Sequence, residues 1–144
     1  MKVYLDNCSY NRPFDDQSQI RIHLETQAKL YIQNLIINKK LMLAYSYISL
    51  YENGNSPHIK NRATIEIFFE NAVSFVDIDK ADIVGDRANK IMLYGVNAKD
   101  ALHISCAIEA DCDCFITTDD RILKKYQNSD IKVCSPIEFI NLYL

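Results

Sequence analysis

Five short apolar runs alternate with segments of helical periodicity along this chain of 144 residues. The runs predict strands at residues 2–5, 41–45, 73–78, 114–117 and 131–134. Strands that alternate with helices form a parallel sheet whose two faces are both covered by helices. The sequence therefore predicts a three-layer α/β/α fold with a central, mostly parallel sheet of about five strands.

Polar residues mark where the helices between these strands should begin and end. Asp16 with Gln19 resembles a capping box, so a long amphipathic helix is predicted from there to about residue 38, after a polar loop at 7–15. Its predicted apolar face consists of Ile20, Leu24, Ala28, Tyr31, Leu35 and Ile36. Other predicted boundaries are caps at Ser46, at Asp79 or Asp82 and at Asn97, a stop at Gly95 and a start at Pro136.

Composition limits the kinds of protein that this chain can be. Hydrophobic residues make up 49% and glycine and proline are few, which favours one packed domain over residues 1–144. A net charge of −3 argues against a broad basic surface for duplex nucleic acid. The 5 cysteines are an odd number for a disulfide framework. No apolar run is long enough to span a bilayer and no signal region is recognised, so we expect a cytoplasmic protein without membrane contact.

Four acidic side chains are placed where the predicted topology can bring them to one edge of the sheet: Asp6, Glu52, Asp100 and Asp119. Ligands of open parallel sheets bind beyond the carboxyl ends of the strands. Singly, each acid also fits a turn, a helix start or an exposed helix surface. Together they would repel one another unless a hard cation such as Mg²⁺ or Mn²⁺ were bound.

Several motifs in this order resemble the PIN domain family, the ribonuclease fold of VapBC-type toxins. The matching stretches are Val3-Tyr4-Leu5-Asp6, Tyr47-Ile48-Ser49-Leu50-Tyr51-Glu52, Lys99-Asp100-Ala101-Leu102-His103-Ile104 and Phe115-Ile116-Thr117-Thr118-Asp119-Asp120. The stretch Asn11-Arg12-Pro13-Phe14-Asp15-Asp16 further resembles a subgroup of small bacterial and archaeal members. The resemblance covers nearly the whole chain.

This resemblance implies a metal-dependent endoribonuclease that cleaves single-stranded RNA, as the toxin of a toxin–antitoxin module. Asp6, Asp100 and Asp119 would ligate Mg²⁺ or Mn²⁺, and Glu52 would complete the acidic cluster. The Thr117 hydroxyl would hold one of these acids, and Asp120 would assist Asp119. The implied partners are an antitoxin protein and a second copy of the chain in a homodimer.

Asn7 and Cys8 depart from the hydroxyl residue that many relatives carry after the first aspartate. A catalytically weak PIN-like scaffold that binds RNA or a protein partner is therefore the alternative reading. A haloacid-dehalogenase-like phosphatase would require a second aspartate at Cys8. A receiver domain would require paired acids before the first strand, which the sequence lacks.

Some further side chains are candidates for a supporting role. Arg12, Lys99 and Arg121, together with Asn7, could contact the RNA substrate, but basic residues could equally pair with acids. His103 lies one helical turn after Asp100 and could approach the site, although a packed or surface histidine is expected.

Residues with aromatic or sulfur side chains are expected mainly in structural roles. Strand alternation should place Cys112 and Cys114 on one face, against the core. Tyrosines could stack on bases but are expected in the core or an interface; they are Tyr45, Tyr47 and Tyr51. Two predicted helices, at residues 16–38 and 57–70, carry exposed apolar residues that could form a dimer or antitoxin surface. Phe68 and Phe69 of the second helix are expected among these exposed residues.

Overall fold

The computed structural model describes residues 1–144 and contains a five-stranded sheet. The strands are β1 (Lys2–Leu5), β2 (Met42–Ser46), β3 (Ser74–Val76), β4 (Cys114–Ile116) and β5 (Lys132–Cys134). All four pairings are parallel, and the spatial order is β3-β2-β1-β4-β5. The first strand is central, with Tyr4 opposite Ala44 on one side and Phe115 on the other. The predicted parallel α/β architecture is confirmed.

Eight helices connect and cover the strands. They are α1 (Asn7–Asn11), α2 (Ile20–Ile37), α3 (Tyr47–Gly54), α4 (Ile59–Phe69), α5 (Ala81–Ile91), α6 (Ala98–Glu109), α7 (Asp120–Lys125) and α8 (Pro136–Tyr143). Short 3-10 turns lie at Arg12–Phe14, Ile78–Lys80 and Met92–Tyr94. None of the helices combines the length and the apolar character that crossing a lipid bilayer requires.

Side-chain alternation along the strands divides the buried apolar residues into two cores, one on each face of the sheet. Tyr4 and Phe115 stack with ring centroids 5.6 Å apart on one face, which α3, α5, α6 and α7 cover. Leu5 and Ile116 lie on the opposite face, which α1, α2, α4 and α8 cover. The sheet is therefore the middle layer of three.

Local capping signals predicted several helix boundaries correctly. The side chains of Ser46 and Asn97 each accept a hydrogen bond from a backbone N–H in the first turn of α3 and α6. Pro136 begins α8, and Gly95 adopts the left-handed conformation (φ 92°) after the turn at Met92–Tyr94. These boundaries depend on neighbours in sequence, which explains why the sequence reveals them.

Other boundary predictions are wrong. The predicted loop at 7–15 contains α1, because Asp6 accepts a hydrogen bond from Asn7 N and caps that helix. The long helix begins at Ile20, and Asp16 caps nothing there, since it accepts from Ser18 N in a local turn instead. Neither Asp79 nor Asp82 caps α5. The cap is supplied earlier by Asp77, which caps the 3-10 turn at Ile78–Lys80 that leads into α5.

The first half of α2 packs through a different face from the predicted one. Ile20, Leu24 and Tyr31 are exposed, whereas Glu25 and Lys29 are buried. Glu25 lies 3.3 Å from the Arg12 guanidinium and 3.5 Å from that of Arg21, and Lys29 donates to Gln33 at 2.7 Å. Burial lowers the pKa of Lys29 to about 8. Ion pairing and hydrogen bonding thus allow charged residues to occupy the inner face.

Two expectations about apolar surfaces are also corrected. Phe68 and Phe69 are buried, because they pack against Tyr10 from α1. Cys112 and Cys114 are buried as expected but lie in opposite cores. Because β4 begins only at Cys114, strand alternation does not apply to Cys112. All five cysteines are free thiols.

We predict that Phe115→Ala will lower the free energy of unfolding by about 3–5 kcal/mol, because it removes a fully buried ring from the central layer. Urea denaturation measures this change. Phe14→Ala is the matched control: Phe14 is 44% exposed, and its loss is expected to cost less than about 1 kcal/mol. Equal effects of the two substitutions would contradict this description of the core.

Candidate active site

The ends of β1 and β4 form the base of an acidic cleft. The chain builds the sheet outward from β1 to β3 on one side and then continues with β4 on the other side. This change of direction is the topological switch point at which α/β proteins bind ligands. Asp6 directly follows β1, and Thr117 and Asp119 follow β4. Strand pairing therefore brings together side chains more than 100 positions apart.

Two helices add the remaining acids. Glu52 lies on α3, which begins directly after β2, and Asp100 lies in the first turn of α6. Because α6 leads back toward the start of β4, its N-terminus is at the carboxyl edge of the sheet. A cleft of about 490 Å³ is lined by Asp6, Asn7, Cys8, Asn11, Asp15, Glu52, Asn55, Ser56, Pro57, Asp100 and Asp119. All four acids singled out in the sequence thus face one space.

Asp6 is the most enclosed carboxylate of the cleft, with 4% of its surface exposed. Its Oδ1 accepts from Asn7 N at 2.8 Å, and its Oδ2 accepts from the Thr117 hydroxyl at 2.9 Å and from the Cys8 thiol at 3.3 Å. The Thr117 oxygen also accepts from Asp119 N at 3.1 Å. Thr117 therefore links Asp6 to the segment that carries Asp119.

The carboxylates are close enough to influence one another's ionisation. Burial, and to a smaller extent the negative charges of Asp6 and Asp119, raise the pKa of Asp100 to about 6. Burial also acts to raise the pKa of Asp119, but hydrogen bonds from Arg121 outweigh it and the net shift is downward. Asp100 accepts no hydrogen bond, so its charge is the least compensated of the four.

Glu52 contacts a residue that the sequence suggested only weakly. Its Oε1 is hydrogen-bonded to Nε2 of His103, a fully buried side chain on α6. His103 is packed, as expected, but it also reaches the acidic cluster: ligand atoms of Asp6, Glu52 and His103 lie within 4.8 Å of one another. The spacing of His103 from Asp100, one helical turn, was the available signal.

The predicted substrate-contacting residues have different surroundings. Asn7 lines the cleft, but its side-chain oxygen accepts from Asn11 at 3.2 Å. Arg12 pairs with Asp15 at 3.1 Å as well as with buried Glu25. Arg121 is 75% exposed and holds both carboxylate oxygens of Asp119, at 3.3 and 3.2 Å. Lys99 is exposed and belongs to none of the ion pairs.

Asp120 lies outside the cleft. Both of its carboxylate oxygens accept hydrogen bonds from the Arg21 guanidinium at 2.7 Å, and this pairing lowers its pKa. The bidentate contact connects α7 with the start of α2. Asp120 is thus held away from Asp119, the residue that it was expected to assist.

The donor set of the cleft fits a hard divalent cation. The four predicted acids and Asp15 line the cleft, and so do the amide side chains of Asn7, Asn11 and Asn55. Mg²⁺ and Mn²⁺ prefer such oxygen ligands, and a cation would offset the burial and the carboxylate repulsion that together raise the pKa of Asp100. Cys8, the one soft ligand in the lining, has its pKa raised to about 12 by burial and by Asp6, so it remains a thiol.

The fold and this cleft define an α/β protein with a carboxylate cluster at the switch point of a parallel sheet. The family model described as the PIN domain matches residues 9–128, and the chain belongs to the PIN domain family. PIN domains are generally metal-dependent nucleases. The resemblance noted in the sequence is therefore confirmed.

Comparison with solved structures supports the same fold. A chain in the crystal structure of VapBC2 from Rickettsia felis, bound to a DNA fragment from its promoter, matches with a TM-score of 0.56 and 17% identity. The match covers 92% of this chain and 97% of that one. Comparison with curated protein sequences gave no match.

We predict that Asp100→Asn will stabilise the metal-free protein by about 1–2 kcal/mol near pH 7.5, since the substitution removes a carboxylate whose pKa is raised, and solvent screens part of the effect at this half-buried position. The folded protein holds this proton more tightly than the unfolded chain does. As the pH falls through about 6, wild-type Asp100 becomes protonated and the advantage of the variant should shrink. Urea denaturation in EDTA at several pH values measures this difference.

Asp79→Asn is the control for that experiment, because Asp79 is exposed and outside the cleft. It should change stability little at any pH. A destabilising effect of Asp100→Asn, or an effect independent of pH, would contradict the electrostatic description of the cleft.

Proposed function

We propose that this protein is a metal-dependent endoribonuclease that hydrolyses phosphodiester bonds of single-stranded RNA with Mg²⁺ or Mn²⁺. The observation that carries the proposal is the convergence of Asp6, Glu52, Asp100 and Asp119 in one cleft of a PIN domain. Such a cluster is unfavourable by itself, as the raised pKa of Asp100 indicates. A function that requires a cation explains why the fold contains it.

In this proposal Asp6, Asp100 and Asp119 hold the cation, and Glu52 completes the cluster. When bound, the cation would neutralise charge on the scissile phosphate and make a water molecule more acidic. Thr117 and Cys8 restrict the rotation of the Asp6 carboxylate through their hydrogen bonds to Oδ2. The same carboxylate keeps acceptor capacity on Oδ1, which accepts one hydrogen bond, from Asn7 N, of the about two that a carboxylate oxygen can accept.

Basic and amide side chains around the cleft would position the RNA. Lys99 is adjacent to Asp100 and is exposed and unpaired. Arg121 would contact a phosphate by exchanging its exposed contact with Asp119 for one with substrate. Asn7 lies on the lining itself. Arg12, which is tied to Glu25, would act at the periphery.

We also propose that the chain works as a single domain over residues 1–144, in the cytoplasm, as the toxin of a toxin–antitoxin module. An antitoxin and a second copy of the chain are its proposed partners. Support comes from PIN family membership and from the exposed apolar side chains Leu24 and Tyr31 of α2, beside Ile137 and Leu144 near the C-terminus. Such exposure is typical of contact surfaces. Light scattering of the isolated chain distinguishes a monomer from a dimer.

We predict that Asp6→Asn will abolish Mn²⁺-dependent cleavage of a fluorescent single-stranded RNA, because it removes a charge from the centre of the cluster. The fold should persist, since asparagine has nearly the same shape. Asp86→Asn, on the exposed surface of α5, is the matched control and should cleave like the wild type. Undiminished cleavage by Asp6→Asn would refute the proposed mechanism, whereas RNA binding without any wild-type cleavage would favour the scaffold alternative.

Lys99→Ala should weaken RNA binding and reduce the slope of log K against log salt by about 0.7, the value for one phosphate contact in a single strand. Fluorescence anisotropy with a catalytically inactive Asp6→Asn background measures this slope. Lys40→Ala serves as the control, because Lys40 precedes β2 at the opposite edge of the sheet. An unchanged slope for Lys99→Ala would exclude the proposed contact.

A further inference from the structure

A buried chain of hydroxyl groups ends on His103 and, through it, on Glu52. We propose that His103 is a positioning residue: its Nε2–H holds the Glu52 carboxylate in place, and its ring does not ligate the metal. The catalytic consequence of this inference rests on the proposed function. The proton arrangement and the metal affinity that it implies can be tested without RNA.

Four buried side chains from separate elements meet at the Tyr4 hydroxyl. The oxygen of Tyr4, on β1, lies 2.7 Å from Ser46 Oγ, 2.9 Å from Ser49 Oγ and 2.7 Å from His103 Nδ1. All four side chains are at most 4% exposed. Hydroxyl and ring protons in such a place require acceptors within the protein, because water does not reach them.

The two serines already serve as acceptors in the cap of α3. Ser46 Oγ accepts from Ser49 N, and Ser49 Oγ accepts from Ser46 N. Each hydroxyl still has one proton to donate. The nearest acceptor for both protons is the Tyr4 oxygen, since the two serine oxygens are 3.4 Å apart. Ser46 and Ser49 therefore both donate to Tyr4.

Tyr4 then has one acceptor left for its own proton. Burial raises the pKa of Tyr4 well above its usual value, so the phenol is protonated at neutral pH. With its oxygen accepting from two serines, the O–H donates to His103 Nδ1 at 2.7 Å. Nδ1 is thereby an unprotonated acceptor, and the ring proton of neutral His103 lies on Nε2, where it is donated to Glu52 Oε1.

A metal-ligating role for His103 conflicts with this proton arrangement. Asp6, Glu52 and His103 lie close enough to share an ion. Ligation by Nε2 would require the proton on Nδ1, which would donate to Tyr4. Four protons would then share the network, and one would be forced onto the 3.4 Å contact between Ser46 and Ser49. The arrangement with Nε2–H uses only the three shorter contacts.

Holding Glu52 matters because the cluster repels it. Glu52 has a flexible side chain, and its neighbours across the cleft are carboxylates. The hydrogen bond from His103 occupies Oε1, while Oε2 makes no hydrogen bond within the protein and is free for a cation. Hydrogen-bonding partners that orient metal-binding side chains commonly contribute about 10–100-fold in metal affinity.

The test compares two amide substitutions of His103 in the full-length protein. A glutamine amide reaches the position of Nε2 and can donate to Glu52, whereas an asparagine amide reaches only the position of Nδ1. We expect His103→Gln to bind Mn²⁺ within about threefold of the wild type and His103→Asn to bind it at least about tenfold more weakly. Calorimetry or electron paramagnetic resonance measures the affinity, and circular dichroism verifies folding. Equal weakening by both folded variants would overturn the inference.

A spectroscopic measurement on the wild type decides the question even if either variant fails to fold. In ¹⁵N-labelled protein, the His103 ring is expected to carry its proton on Nε2 and none on Nδ1, both before and after addition of Mg²⁺. A proton on Nδ1, or loss of the Nε2 proton when Mg²⁺ binds, would show that His103 is a ligand and refute the proposal.

These readouts also separate this inference from the proposed nuclease activity. A wild type that has the Nε2–H tautomer and the expected difference between the two variants, but cleaves no RNA, would refute the activity and support the positioning role. A wild type that cleaves RNA while His103 loses its Nε2 proton to the metal would support the activity and refute the positioning role.

Discussion

The parallel pairing of β1 with β4 determines the rest of this structure. It aligns Leu5 with Ile116, and the next residue, Asp6, continues the pairing through a hydrogen bond from its N–H to Ile116 O at 2.9 Å. The Thr117 hydroxyl then extends the contact to the Asp6 side chain. Because both strands end at the same level, the segments that leave them diverge and open a cleft. This backbone geometry places the acids at one site independently of any specific side-chain contact.

The fold tolerates the acidic cluster because most of its members have a donor of their own. Asp6 accepts from Thr117, and Asp119 accepts from Arg121. Glu52 is hydrogen-bonded to His103. Asp100 accepts no hydrogen bond, and it is the acid whose pKa is raised, to about 6. The unfavourable charge is thus concentrated on one residue at the rim of the cleft, where a cation or a proton can relieve it.

Sequence reasoning succeeded where the determining contacts are local or follow from topology. The strands, the caps at Ser46 and Asn97 and the common edge for the four acids belong to this group. It failed on α2, since the buried position of Glu25 depends on Arg12 and on Arg21, whose pairing no periodicity reveals.

The contact of His103 with Glu52, like the ion pairs of Glu25, is a contact between side chains that the residue pattern does not reveal. Its helical spacing from Asp100 was visible, but its partner lies 51 positions away. Residue patterns thus predict which edge of a sheet a side chain reaches. They do not predict which of several nearby polar groups it will bind, because that depends on tertiary packing.

The capping box of α3 connects secondary structure to the site. Ser46 and Ser49 begin the helix by exchanging hydrogen bonds with each other's backbone, and the same hydroxyls satisfy Tyr4 from the central strand. Glu52 lies one turn beyond Ser49 on that helix. The residues that fix where α3 begins thus also direct the Tyr4 proton toward His103 and, by way of it, orient Glu52. A change that moved the start of this helix would displace both the Glu52 carboxylate and the hydrogen bond that holds it. The cap of α3 and the geometry of the cleft therefore depend on the same four buried side chains, Tyr4, Ser46, Ser49 and His103.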